Sequence, residues 1–259
     1  MALRYDAAMV LSTVKFSFKN HTGIKLAGLI DMPAGEPIAF GIFGPCFTCV
    51  KQSNGAVKIC RALAERGIAM LRFDTTGVGE SEGDLGKTNF STRIDDLLSA
   101  YAALAEIYRP PILLAGHSIS GTAALTAVHH MPAIKVVATI GSPSDPQGTI
   151  AKFRESGILT ESATTATINV LGRVIDFDNS FVTDMLAQKT AEDTARITQK
   201  LLIFHAPNDT IVNYKNAEIM AARNPHARLI RMAESATHLF EKGLDDANFV
   251  AEKIAREIT

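Results

Sequence analysis

The sequence has 259 residues, 47% of them hydrophobic, with 26 Lys and Arg against 27 Asp and Glu. That is enough apolar material to fill one large α/β domain, residues 1–259, and a formal net charge of -1 leaves no basic stripe for phosphates, which excludes an electrostatically driven nucleic-acid binder. Three cysteines do not make a disulfide framework in a chain of this length, and no run nears the roughly 18 apolar residues of a membrane helix. The start, MALRYDAAMVLSTVKF, carries Asp6 and runs into a strand pattern rather than a cleavage site, so neither export nor a membrane partner is expected and the cytoplasm is the expected location.

In chain order, Thr13–Phe18 and Lys25–Met32 flank Asn20-His21-Thr22-Gly23 and predict an antiparallel hairpin. Strand and helix patterns then alternate: strand Ile38–Phe43, helix Asn54–Arg66, strand Ala69–Phe73, helix Arg93–Tyr108, strand Pro111–Ala115, helix Ile119–Met131, strand Ile134–Ile140. Residues 145–199 interrupt this order with a hairpin of Ile168–Leu171 and Val174–Phe177 turning at Gly172-Arg173, and with a helix near Phe181–Gln188. They are read as a small cap inserted above the sheet's C-terminal edge. Strand Lys200–His205, helix Tyr214–Arg223, strand Arg228–Met232 and helix Asp245–Ile258 resume the pattern, the last with Val250, Ile254 and Ile258 on one face. The layout predicts a mostly parallel, eight-stranded sheet with helices on both faces.

Chemistry concentrates at Ile112-Leu113-Leu114-Ala115-Gly116-His117-Ser118-Ile119-Ser120-Gly121, where an apolar strand turns into a helix with Ser118 at the apex. This is the context of a nucleophile elbow, which needs small residues two places before and after the serine because the turn is tight. Gly116 meets the first requirement; Ser120 stands where glycine is usual. The bland alternative is a serine that merely caps a helix. Downstream, Asp209 follows the strand ending at His205, and His238 lies in the loop after the next strand, which gives the order Ser, Asp, His. Both fall beyond C-terminal strand ends, where sites form in such sheets. Asp145 is the rival acid. His129, His130, His226, His21, His205 and His117 lie elsewhere in the pattern, and none follows the Asp209 strand by one βα unit.

Two other motifs compete. Gly77, Gly79 and Gly83 suggest dinucleotide binding, but their spacing is G-x-G-x-x-x-G and Asp84-Leu85-Gly86 opens no apolar helix. Cys46 and Cys49 form a C-x-x-C, for which packing is the commoner explanation than a redox pair.

Over nearly its whole length the chain resembles the α/β-hydrolase superfamily. Through Cys46-Phe47-Thr48-Cys49, Arg61-Ala62-Leu63-Ala64-Glu65-Arg66-Gly67-Ile68-Ala69, Leu71-Arg72-Phe73-Asp74, Thr76-Gly77-Val78-Gly79-Glu80-Ser81-Glu82-Gly83 and Ala138-Thr139-Ile140-Gly141 it is similar to the hydrolase part of bacterial hydrolase/OsmC fusion proteins. With the chain ending at Thr259, no OsmC-like domain is expected, and that domain's peroxidase chemistry is not carried over. The resemblance implies a serine hydrolase of carboxylic esters whose oxyanion hole uses the N–H of Ile119 and one from Phe47 or a neighbour, in a loop with Pro45-Cys46 where many relatives have His-Gly. The expected mechanism has Ser118 as nucleophile, His238 as base and Asp209 as acid, with neither metal nor cofactor. Phe47, Phe181 and Leu239 are expected to line a shallow pocket for a small-molecule ester with an acyl chain of about two to six carbons. The alternative is a non-catalytic ligand-binding protein on the same fold.

Overall fold

A computed structural model describes residues 11–170, 172–242 and 244–258; most of the N-terminal stretch, Leu171 of the expected hairpin, and Thr259 lie outside the described residues. The elements are β1 (Ser12–Lys19), β2 (Lys25–Met32), β3 (Ala39–Gly44), α1 (Asn54–Ala64), β4 (Ile68–Phe73), α2 (Phe90–Ile107), β5 (Leu113–His117), α3 (Ile119–Ala127) and β6 (Val136–Ile140). After them come α4 (Pro146–Glu155), β7 (Leu159–Glu161), β8 (Thr165–Val170), β9 (Arg173–Asp178), α5 (Ser180–Ala187) and α6 (Thr190–Arg196). The chain returns through β10 (Lys200–His205), α7 (Lys215–Arg223), β11 (Ala227–Arg231) and α8 (Asp245–Ala255).

Eight strands form one sheet in the order β1-β2-β4-β3-β5-β6-β10-β11. β1 and β2 pair antiparallel, β2 and β4 likewise, and every pairing from β4 to β11 is parallel. Alternation along the inner strands divides the core between the two faces. Leu114, Val137, Leu201 and Ile203 pack with α2, α3 and α7. Leu113, Ala115, Val136, Ala138, Leu202 and Phe204 pack with α1 and α8 on the other side. Runs buried on both faces are what parallel strands require, and they explain why β3 through β6 read as continuous apolar segments.

Between β6 and β10 the sequence expects a hairpin and one helix. The structure adds α4, the short strand β7, which extends the hairpin into a three-stranded antiparallel sheet, and α6. α4 begins with Asp145 as N-cap, its side chain accepting from Gly148 N, and with Pro146 in the first turn. Among the described residues no helix is long and apolar enough to cross a membrane.

Candidate active site

β5 ends at His117 and α3 starts at Ile119, so Ser118 alone makes the turn, at φ 54 and ψ -128. A left-handed φ in a non-glycine residue costs on the order of 1–3 kcal/mol and persists only where the surroundings enforce it. Here Ser118 N donates to Ile140 O at 2.8 Å, and the backbones of β5 and α3 nearly touch. A Cβ on Gly116 would overlap Ser120 O and Gly121 N, and one on Gly121 would overlap Ser142 Oγ. The small-residue requirement therefore falls on Gly116 and Gly121, and Ser120 has room because Gly44 faces it, where a Cβ would sit 2.8 Å from Ser120 Cβ. Ser118 occupies the N-cap position of α3, yet its side chain makes no capping bond, so the bland capping role does not account for it.

The loops after β10 and β11 bring Asp209 and His238 together, with Asp209 Oδ2 2.7 Å from His238 Nδ1. Asp209 Oδ1 accepts from the N–H groups of Ile211 and Val212 at 2.8 and 2.9 Å. Burial raises its pKa, but the hydrogen bond with His238, the coulombic attraction to His238 and those two backbone N–H groups outweigh burial and hold the carboxyl below its ordinary range. Gly141, following β6, makes room for the pair: a Cβ there would sit 3.2 Å from His238 Nδ1 and 3.3 Å from Asp209 Oδ2. His238 Nε2 is left for the cavity that Ser118 also borders. Ser118 Oγ and His238 are not hydrogen-bonded here, a common condition of catalytic pairs before substrate tightens them.

Asp145, the rival acid, borders the same cavity but has other partners. Its Oδ2 bonds Arg223 at 2.8 Å and Ser144 Oγ at 3.0 Å, while Oδ1 caps α4. His205 braces the Asp209 loop, with Nε2 2.8 Å from Val212 O. His117 packs at a tilt against His238, ring centroids 4.8 Å apart, and meets Phe240 edge-on. Burial, with the neighbouring His238, lowers the His117 pKa from 6.5 to about 3, which favours the neutral ring behind His238.

Ser118 and His238 open into a cavity of about 640 Å³. Phe47, Ile119, Phe181 and Leu239 line it, and so do Phe153 and Ile158, from α4 and the turn after it, which the sequence did not single out. Phe47 packs edge-on against Phe181 at 6.0 Å. The loop after β3 folds back through Cys49 N to Cys46 O at 3.2 Å, which turns the opposite edge of that peptide, the Phe47 N–H, away from the loop's own bonding. Neither Phe47 N–H nor Ile119 N–H has a partner among the described residues.

Cys46 and Cys49 are joined as a disulfide with Cα atoms 5.0 Å apart, which corrects the expectation of simple packing; the same turn brings them within bridging distance. The Gly77–Gly83 loop follows β4 at the sheet edge. It wraps the buried Asp74, which accepts from Glu80 N at 3.0 Å and from Lys51 Nζ and Lys51 N.

Comparison with known proteins agrees with this architecture. A family model described as serine aminopeptidase, S33, matches residues 49–167. The esterase domain of a Rhodothermus marinus protein is 34% identical, with 96% of this chain and 97% of that one covered and a TM-score of 0.76. Est1E from Butyrivibrio proteoclasticus, solved with ferulic acid, is 20% identical with a TM-score of 0.78, covering 94% of this chain and 99% of that one, a likeness of fold. The mitochondrial palmitoyl-protein thioesterase ABHD10 of Rattus norvegicus is 34% identical over 112 residues, 43% of this chain and 36% of that protein, so the match spans about a third of the relative's length. The parallel sheet with its serine elbow, and a likeness to an esterase domain along almost the full length of both chains, place this protein in the α/β-hydrolase superfamily.

Proposed function

We propose that the chain is a serine hydrolase of carboxylic esters, with Ser118, His238 and Asp209 as its catalytic triad. The observation that carries this reading is the 2.7 Å Asp209–His238 contact at the rim of the cavity that holds the strained Ser118. Ser118 Oγ attacks the ester carbonyl as His238 Nε2 takes its proton, and Asp209 fixes the ring and stabilises the imidazolium. The N–H groups of Phe47 and Ile119 receive the oxyanion. The tetrahedral intermediate collapses, the leaving alkoxide takes the proton back from His238, and water, activated by the same ring, cleaves the acyl-enzyme.

The elements of residues 145–199 act as a cap that roofs the acyl site. A cavity of about 640 Å³ is roomier than the shallow pocket on which the expectation of about two to six carbons rested, and each further methylene it encloses is worth up to about 0.8 kcal/mol. Acyl chains beyond that range are therefore accepted, as oxygen esters or thioesters. The thioesterase name of the rat relative and the likeness to the esterase domain of the Rhodothermus marinus protein support an ester-type substrate.

Ser118→Ala tests the proposal. Hydrolysis of p-nitrophenyl esters should fall by about 10⁴-fold or more with the melting temperature unchanged. A variant keeping more than about a tenth of the activity would remove Ser118 from the nucleophile's role.

A further inference from the structure

α2 enters at the cavity with its fourth residue, Arg93, pointing into the protein; Arg93 is 8% exposed and borders the cavity. Its Nη1 donates to Ser120 Oγ at 2.9 Å and to Pro45 O at 3.4 Å, and Nη2 donates to Phe47 O at 2.9 Å. Ser120 Oγ in turn donates to Pro45 O. Among the described residues these partners are two carbonyls and a hydroxyl. Asp96, one turn along α2, acts on Arg93 only coulombically and directs its oxygens to Thr76 and Asn20. Burial lowers the Arg93 pKa to about 10, which leaves it a cation at neutral pH.

A buried guanidinium with no carboxylate partner is a costly arrangement. The groups it grips belong to the two elements that carry the oxyanion donors. Peptide units are planar, so the orientation of the Phe47 N–H depends on how its unit turns between the peptide units on either side. Those units contain the Pro45 and Phe47 carbonyls, and Arg93 holds both. The third contact, Ser120, adjoins Ile119, the other donor. Ser120 also stands where the elbow pattern usually has glycine, and its hydroxyl is what ties α3 to Pro45.

We propose that Arg93, with Ser120, is a positioning residue of the oxyanion hole, clamping the loop after β3 to the start of α3 so that the Phe47 and Ile119 N–H groups converge on one oxygen. The proposal rests on the catalytic reading above. Deleting a single oxyanion donor costs about 10²–10³ in kcat; loosening one without deleting it should cost less.

The test uses the full chain, a p-nitrophenyl ester and a trifluoromethyl ketone that mimics the tetrahedral intermediate. Arg93→Met should lower kcat by about 10- to 100-fold with KM changed by less than about threefold, the signature of an interaction made in the transition state. Affinity for the ketone should fall in proportion to kcat/KM. Arg93→Lys keeps the cation without the fork and should regain only part of the loss. Ser120→Ala should lower kcat in the same sense, by less. Wild-type kcat in Arg93→Met, or a raised KM with kcat intact, overturns the clamp. If Arg93→Met fails to fold, Arg93→Lys decides: reduced kcat at an unchanged KM supports the clamp, and wild-type kcat overturns it. Absence of hydrolysis and of ketone binding in the wild-type protein would instead strike the catalytic reading.

Discussion

Asp209 and Asp145 both lie in loops just past a parallel strand, and what separates them is the partner each one holds. Asp209 faces His238 at 2.7 Å, whereas Asp145 is bonded to Arg223 and caps α4. Asp209→Asn should therefore lower kcat by about 10⁴-fold, because in the proposed mechanism the carboxylate that contacts His238 is the one that stabilises the imidazolium. Asp145→Asn should leave kcat within a few-fold and cost at most about 1 kcal/mol of stability through the weakened ion pair with Arg223, since Asn caps a helix as well as Asp does; kinetics and urea melts of both variants check this, and the reverse ranking contradicts it. His117 makes a prediction about pH. Its folded pKa of about 3 lies below the ordinary 6.5, so the unfolded chain takes up the proton first and stability rises with pH between those values. The His117 contribution is intact above about pH 6.5 and is lost progressively as pH falls toward 3. Urea melts of His117→Gln should decline less steeply than wild type between about pH 7 and 5; equal slopes would mean that the ring is not held neutral. Neither pairing is written locally in the sequence: Asp145 reads as a loop acid until Arg223 is brought beside it, and His117 reads as a spare histidine until His238 packs against it.

At the scale of elements, the strands were legible because parallel strands buried on both faces are apolar throughout, and the elbow was legible because Gly116, Ser118 and a helix start fall in a short window. α4 was not. Its only buried residues are Pro146 and Ile150, too few for a helical stripe, and its local signal was the Asp145-Pro146 start. β7 has three residues and exists by pairing with β8, a contact that no local pattern encodes. The Cys46–Cys49 bond needed the turn after β3, which the spacing alone does not reveal. The missed elements have consequences for specificity, since Phe153 and Ile158 border the cavity. Filling it with Ile158→Trp should lower kcat/KM for long acyl esters by about tenfold or more while leaving acetyl esters nearly unchanged, because only the distal methylenes lose their contacts. A p-nitrophenyl series on the variant and the wild type measures this, and an equal loss for all lengths would place the acyl chain elsewhere.

At the scale of the molecule, Ser118, Asp209 and His238 follow β5, β10 and β11, strands separated in sequence by the elements of residues 145–199 yet set along one edge of one sheet. That edge is where loops of parallel sheets converge, which is why strand order alone places these three residues at one end of the sheet, while the size of the cavity depends on the elements of residues 145–199. The central claim is that this convergence makes Ser118 a nucleophile. The most direct measurement is intact-protein mass spectrometry after treatment with a fluorophosphonate, followed by peptide mapping. The account predicts a single adduct on Ser118, formed together with complete loss of ester hydrolysis and absent from Ser118→Ala. Hydrolysis that persists in unlabelled protein, or an adduct on another residue that accounts for the inactivation, would contradict it.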